Sequence, residues 1–451
     1  MFEKILIANR GEIAVRAIRA CRELGIRTVA IYSEADRESL HVKFADESIC
    51  IGPPDPSNSY LDIPSIMAAI EVSGAEAVYP GYGFLSENPK FAEIVEASGI
   101  KFIGPSPDTL ELIGNKMEAK RIARKVGIPL VPGSDGPIDE ESAPGIAERI
   151  GYPVVLKASA GGGGRGIRVV NSEAELLEKL PVAVKEAEVA FGDGSIYMEK
   201  FLINPKHIEI QVLADEHGNV VALGERECSI QRRHQKLIEE APSCVVEGKK
   251  RKELEEMVIE FCKEINYVGA GTVEFLMDRE GNFYFMEMNG RIQVEHPVTE
   301  MVTGIDIVKH QIKIAYGDKL NIKRVIRRGY AIEFRINAED PKRFRPSPGK
   351  VERLILPGGF GVRVDTHIYQ GYKVPPYYDS LLAKLIVWGE TREEAIKRGI
   401  RALKELTIEG KGLSVNKEFH LNILEREEFK KGDHHIGFVE EIYGDKAYKF
   451  S

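Results

Sequence analysis

A few segments of the chain concentrate the residue types that do chemistry. Thr272-Val273-Glu274-Phe275-Leu276-Met277 and Phe283-Tyr284-Phe285-Met286-Glu287-Met288-Asn289 flank a polar turn. With a loop over 279–282, Asp278 pairs with Phe283 and Glu274 falls directly opposite Glu287. Strand alternation places Asn289 on the face of Glu287. Like charges directly opposite are destabilising, and the apolar alternation marks the strands as half-buried. A hard cation between two carboxylates and an amide oxygen relieves the conflict, and Mg²⁺ suits a few carboxylates plus substrate phosphates. The alternative is that both carboxylates face water or pair with Lys or Arg.

A second segment, Lys157-Ala158-Ser159-Ala160, runs into Gly161-Gly162-Gly163-Gly164-Arg165-Gly166. Consecutive glycines are costly to order, and a plain hairpin needs only one or two residues at positive φ. The excess suits a moving loop whose backbone N–H groups approach an anion, with Lys157 adding a charge at the strand end. A flexible surface hairpin is the other reading. No Gly-Lys-Ser/Thr follows, so this is not a P-loop. A third segment, Glu287-Met288-Asn289-Gly290-Arg291-Ile292-Gln293-Val294-Glu295-His296-Pro297, is too polar to bury without partners. Two further polar clusters are Gln231-Arg232-Arg233-His234-Gln235-Lys236 and His207-Ile208-Glu209-Ile210-Gln211. The polar side chains of the latter share one strand face.

The elements that must position these residues are legible in the apolar periodicity. Lys4 to Ala8 predicts a buried strand; Ile13, Ala14, Ala17, Ile18, Cys21 and Leu24 fall on one helical face, and Gly25 ends that helix. Strands are expected over Thr28 to Tyr32, Ala77 to Tyr79 and Lys101 to Ile103, alternating with helices as in a parallel sheet. Asn9-Arg10-Gly11-Glu12 lacks the spaced glycines of a dinucleotide fingerprint. A helix over Asn115 to Val126 leads to a second, α+β region with strands at Val154 to Lys157, Ile167 to Val170, Ile208 to Leu213 and the carboxylate hairpin. The basic stretch Lys323 to Gly329 marks the next boundary. A turn-rich third region closes with a charged helix from Thr391 to Leu406.

The bulk composition excludes several classes. A chain of 451 residues is expected to form two or three domains. Its net charge of −8 argues against a general nucleic-acid binder. No apolar run approaches the roughly 20 residues of a membrane span, and Met1 to Arg10 does not resemble a signal peptide. The 5 cysteines are scattered without a C-x-x-C pair, which fits a reducing cytoplasm.

Taken in order, these segments resemble the biotin carboxylases of the ATP-grasp superfamily. The resemblance runs through Ile7 to Ala14, Gly81-Tyr82-Gly83-Phe84-Leu85-Ser86-Glu87-Asn88, Lys157 with its glycine tract, His207 to Val212, and Glu287 to Glu300. It ends on Arg335-Ile336-Asn337-Ala338-Glu339-Asp340 and Tyr377-Tyr378-Asp379-Ser380-Leu381-Leu382-Ala383-Lys384. It implies an α/β and α+β chain: a Rossmann-like N-terminal domain (1–114), an ATP-grasp domain with a glycine-rich lid (115–328) and a C-terminal domain (329–451). ATP contacts then map onto Lys116, Lys157, Gly163, Gly164, Glu199, Lys200, Leu202, His207, His234 and Leu276. Ligands for Mg²⁺ or Mn²⁺ map onto Glu274, Glu287 and Asn289. Bicarbonate contacts map onto Lys236, Arg291, Gln293 and Val294, the base onto Glu295, and biotin contacts onto Arg335 and Tyr82.

The implied reaction has two stages. Bicarbonate, deprotonated by Glu295, attacks the γ-phosphate of ATP to give carboxyphosphate and ADP. Carboxyphosphate breaks down to CO₂ and phosphate, phosphate deprotonates the biotin ureido nitrogen, and Arg335 stabilises the enolate-like ring that attacks CO₂. The resemblance also implies a homodimer in the cytoplasm. No Ala-Met-Lys-Met biotinylation site is present, so biotin is expected on a separate carrier protein, with a carboxyltransferase as further partner. Another ATP-grasp ligase, or a non-catalytic nucleotide sensor, is the competing expectation. Gly290, where the family commonly has a larger residue, is expected to loosen its turn. Phe334, in place of a frequent cysteine, is expected to change only packing. The segment Glu409 to Asn416 departs from the family's usual form.

Overall fold

The computed structural model describes residues 1–158 and 167–444. The glycine tract, with Gly163 and Gly164, lies outside the described residues. Five short strands, β1 (Lys4–Ile7), β2 (Arg27–Ser33), β3 (Glu47–Gly52), β4 (Ala77–Tyr79) and β5 (Lys101–Phe102), form a parallel sheet ordered β3-β2-β1-β4-β5. The helix Gly11–Glu23 follows β1 directly, and its buried stripe includes Ile13, Ala14, Ala17, Ile18 and Cys21. The segment between them is a structural tie and not a nucleotide loop. Asn9 Nδ2 donates to the carbonyls of Pro80 and Tyr82 at 2.7 Å each. Arg10 forks onto buried Asp36 at 2.6 and 2.9 Å.

A second, antiparallel sheet of three strands, β6 (Val154–Ala158), β7 (Ile167–Val170) and β8 (Ile196–Lys200), is ordered β7-β6-β8. It packs its own apolar core against the helix Glu173–Phe191 through Leu176, Leu180 and Ala183. The chain then runs through β9 (Lys206–Ala214), β10 (Val220–Arg232), β11 (Gln235–Ala241), β12 (Gly269–Met277), β13 (Phe283–Asn289), β14 (Tyr330–Asn337), β15 (Arg353–Ile355), β16 (Val362–Thr366), β17 (Leu381–Gly389) and β18 (Thr407–Glu409). Strands β15 and β18 pair with each other; the others form one eight-stranded antiparallel sheet, ordered β13-β12-β9-β10-β11-β14-β17-β16.

This sheet crosses the basic stretch at 323–329. Strand β14, which follows that stretch, pairs with β11, which precedes it. Residues from the second and third regions therefore sit side by side on one continuous surface. One face of the sheet is apolar, with Ile208, Ile210, Val273 and Phe275 in one core and Ile332, Phe334 and Leu385 in another. The other face carries the polar partners of the same strands.

The carboxylate hairpin corrects the sequence expectation in one detail. Met277, not Asp278, pairs with Phe283, so the turn is longer by a residue. A bulge between Glu274 and Phe275 takes up Met286 and restores the register, so that Glu274 does lie opposite Glu287. The third region also does not close at the Arg392–Glu405 helix. Three more helices follow, Lys417–Glu425, Glu427–Lys431 and Phe438–Tyr443, and pack Phe419, Ile423 and Phe429 into the core.

Candidate functional site

The polar face of the large sheet is organised by an arginine that the motif reading passed over. Arg226 on β10 is 0% exposed. Its guanidinium donates to Glu209 at 2.5 Å, Gln211 at 2.7 Å, Thr299 at 3.0 Å, Thr272 at 3.2 Å and Gln293 at 2.8 Å. Five N–H donors meet five acceptors, so this buried charge is compensated. The contacts tie β9, β10 and β12 to the polar loop after β13 and to the helix His296–Thr303.

Beside it, Lys236 on β11 is a hub for three carboxylates. Its Nζ lies 2.5 Å from Glu209, 3.0 Å from Glu274 and 2.7 Å from Glu295. Burial alone would lower the Lys236 pKa, but Glu209, Glu274 and Glu295 raise it well above the ordinary lysine range. The reciprocal holds for Glu295. Burial opposes its charge, yet Lys236, then Arg335 and Arg226, hold the carboxyl well below the usual range. Arg335 on β14 reaches the other oxygen of Glu295 through Nη2 at 2.9 Å. Glu295 is therefore an ionised carboxylate held between two cations, with its side chain 2% exposed.

The opposed pair Glu274 and Glu287 borders the same space. Glu274 is buried and held ionised against its desolvation by Lys236 and His207, the latter with Nε2 at 3.0 Å. Its Oε1 also receives Asn289 Nδ2 at 2.9 Å and Gln293 Nε2 at 2.6 Å. Glu287 is partly exposed and lies 3.4 Å from Lys116 Nζ. Two carboxylates in direct register, with the Asn289 amide on the same face, present hard oxygen donors toward an open cavity. That donor set fits a divalent cation such as Mg²⁺. The Lys116 contact also realises part of the ion-pair alternative: in the structure both carboxylates have cationic neighbours.

Arg291 is positioned from the N-terminal region. Glu87, in the loop after β4, accepts from Arg291 Nε at 2.7 Å and from the Gly290 amide at 3.0 Å. Arg291 Nη2 donates to Asn289 Oδ1 at 3.1 Å. Gly290 does not loosen the turn. It packs so closely that an added Cβ would meet Ile113 Cδ1 at 2.6 Å and Leu110 Cδ2 at 3.0 Å. Tyr82 donates to Glu12, which is 3.1 Å from Lys384 of β17, and Lys384 donates to the Val294 carbonyl at 2.9 Å. The segment Asn9 to Glu12 thus holds the polar loop in place from behind.

A cavity of 1020 Å³ joins these groups. Of the sequence-predicted residues, Tyr82, Lys116, Lys157, Glu199, His207, His234, Lys236, Glu274, Leu276, Glu287, Asn289, Arg291, Gln293, Val294, Glu295 and Arg335 line it. Lys200 and Leu202 are not among its lining residues. Lys200 Nζ turns to the carbonyls of Gly151 and Tyr152, at 2.8 and 2.9 Å. At the far end Glu199 bridges Lys157 and Lys120, which outweigh its burial and lower its pKa. Lys120, Arg226 and Glu87 were missed because each stands outside a dense polar run. The helical spacing of Lys116 and Lys120 was the available signal for Lys120.

Phe334 is buried at 0%, and Gly399 makes room for its ring: a Cβ there would meet it at 2.9 Å. The departing segment after β18 has a definite role. Asn416 Nδ2 and His420 Nε2 contact the Arg335 carbonyl at 2.9 and 2.8 Å. They fix the backbone of Arg335 from the C-terminal side.

Comparison with known proteins agrees along the chain. Residues 1–110 match the biotin carboxylase N-terminal domain, 115–323 the carbamoyl-phosphate synthase L chain ATP-binding domain, and 333–441 the biotin carboxylase C-terminal domain. The biotin carboxylase of Pseudomonas aeruginosa is 54% identical over 448 residues, covering 98% of this chain and 99% of that protein. A pyruvate carboxylase subunit from Methanothermobacter thermautotrophicus is 52% identical over 445 residues, covering 98% and 90%. The biotin carboxylase domain of Hydrogenobacter thermophilus 2-oxoglutarate carboxylase, solved with MgADP, ADP and bicarbonate, superposes with a TM-score of 0.90 at 51% identity. That match covers 98% of each chain. The chain belongs to the biotin carboxylase family, and it is an ATP-dependent ligase of the ATP-grasp type.

Proposed function

We propose that the cavity carboxylates biotin at the expense of ATP and bicarbonate, with the two half-reactions meeting at Glu295. The carrying observation is that Glu295 lies between Lys236 and Arg335, one on each oxygen. Lys116, Lys157, Glu199, His207, His234 and Leu276 hold the nucleotide, with Gly163 and Gly164 closing over it. Glu274, Glu287 and Asn289 hold Mg²⁺ or Mn²⁺, which when bound supplies charge neutralisation for the phosphates. Bicarbonate docks against Arg291, Gln293, Val294 and Lys236. Glu295, already ionised, accepts its proton as its oxygen attacks the γ-phosphorus and carboxyphosphate forms. Lys236 and Arg291 stand where negative charge develops, as fixed cations shielded from water. Arg335 and Tyr82 face the biotin ring, and Arg335 stabilises its oxyanion as the ring nitrogen attacks CO₂.

Biotin arrives on a carrier protein, and a carboxyltransferase takes the product onward. The archaeal pyruvate carboxylase relative, itself one component of a larger enzyme, supports this division into separate chains. The chain works as a homodimer in the cytoplasm. Phe360, 78% exposed, offers an apolar contact for a second copy. No helix among the described residues is long and apolar enough to cross a membrane. The test is ADP release as bicarbonate, divalent metal and free biotin are each withheld. Release should require the first two and be accelerated by the third. Rapid ATP hydrolysis indifferent to biotin would refute the assignment.

A further inference from the structure

Two buried carboxylates stand behind Arg335, and the chemistry above does not use them. Glu239 of β11 pairs directly with Glu333 of β14, and both are 0% exposed. Glu239 Oε1 accepts from Arg335 Nε at 2.5 Å, on the edge away from the Nη2 that reaches Glu295. The second oxygen of Glu239 and both oxygens of Glu333 have no hydrogen-bond partner. Directly opposed strand residues have Cβ atoms roughly 5 Å apart. At that spacing, out of water, two carboxylates are not both ionised: one carries a proton.

The surroundings decide which. Arg335 and Glu333 face Glu239 from β14, Lys384 from β17, Glu295 from the start of the helix His296–Thr303, Cys228 from β10, and Lys236 from its own strand. Glu333 lacks a direct cationic contact. Burial, against Lys384, raises its pKa well above the ordinary range, so it stands as a neutral acid. Glu239 touches Arg335. Burial raises its pKa to about 7, with Arg335 pulling down and Glu295 pushing up.

We propose that Glu239 is a positioning residue for Arg335, clamping the guanidinium by its Nε edge so that Nη2 stays aimed at Glu295 and the biotin ring. This rests on the reading of Arg335 as the biotin-facing group. The backbone of Arg335 is already held by Asn416 and His420, so the clamp governs the side chain alone. An ionised Glu239 makes a charge-assisted bond to Nε; a protonated one is a weaker acceptor. ATP cleavage uses Glu295, Lys236 and Arg291, whereas carboxyl transfer needs Arg335 in place. Loosening the clamp therefore uncouples the two, and activated CO₂ is lost to water. The sign follows: Glu239 is ionised above about 7 and protonated below, so coupling falls as pH drops through that value.

The experiment measures initial rates of ADP release and of carboxybiotin formation, with alkaline quenching, between about pH 6.5 and 8.5. The proteins are the wild type and the variants Glu239→Gln, Glu333→Gln and Arg335→Ser. The ratio of carboxybiotin to ADP is read, because changes in bicarbonate and ATP affinity cancel in it. The wild-type ratio should fall several-fold toward the acid end. In Glu239→Gln the ratio at high pH should be about tenfold lower and lack the pH step, with ADP release within about threefold of wild type. Glu333→Gln, isosteric with a neutral acid, should keep the wild-type ratio. A wild-type ratio in Glu239→Gln, while Arg335→Ser is uncoupled, overturns the proposal and spares the reading of Arg335. Equal losses in the two Gln variants overturn it as well, since the role would then be structural. Full coupling in Arg335→Ser overturns both. If Glu239→Gln does not fold, the wild-type profile decides, and a ratio flat across the range overturns the proposal.

Discussion

Replacing Lys236 by Met should do more than slow the enzyme: it should move the titration of Glu295 into the measurable range. In the intact site Glu295 lies 2.7 Å from the ammonium and 2.9 Å from the Arg335 guanidinium. At an effective dielectric constant of about 20, a pair at 2.7 Å attracts by about 6 kcal/mol. That corresponds to a carboxyl pKa difference of about 4. Water entering the space left by the ammonium reduces the loss, and Arg335 remains, so a rise of about 2 in pKa is the reasonable expectation. The depressed carboxyl of the wild type stays ionised through mildly acid pH, so bicarbonate-dependent ATP cleavage should show no limb from Glu295 there. In Lys236→Met an acid limb should appear, with activity lost as pH falls through the raised pKa. Activity at pH 8 should be down by about a hundredfold or more, because a fixed cation facing the developing charge is gone. The assay is the pH profile of kcat/KM for bicarbonate in ADP release. A variant that is slower but keeps the wild-type profile would refute the argument that Lys236 holds Glu295 ionised.

Three further outcomes follow from the geometry. Glu287→Gln should reduce the gain in Tm produced by Mg²⁺ with ADP, while the metal-free variant melts no lower than metal-free wild type. A clear drop in metal-free Tm would instead make the Glu287 contact to Lys116 structural. Arg226→Met should cost about 3–5 kcal/mol in urea unfolding, because Glu209, Gln211, Thr272, Thr299 and Gln293 lose a shared buried donor; a loss under about 1 kcal/mol would refute its role as organiser. Bulkier residues at Gly163 and Gly164 should raise KM for ATP or slow turnover without lowering Tm, and unchanged kinetics would mark the tract as a surface hairpin.

The pattern of residues by itself determined much of this protein. The short buried strands, the helix after β1 and the opposed Glu274 and Glu287 follow from side-chain period, because alternation and 3.6-residue spacing are local properties of the backbone. The dense polar run announced a site because so many polar groups beside an apolar strand must find partners. The exact turn was not legible: the extra residue in the 278–282 loop and the Met286 bulge offset each other, and neither leaves a periodic trace. What only the tertiary structure decided are the long-range pairings. Arg226 looks like any strand arginine until β9, β12 and the helix His296–Thr303 close around it. Asn9 to Glu12 resembled a failed nucleotide loop until Lys384, from the far end of the chain, met Glu12. Glu239 and Glu333 are 94 residues apart in number, and their opposition exists only because β14 joins the edge of β11. Burial and proximity of charge set what a carboxylate does, and both are properties of the folded chain.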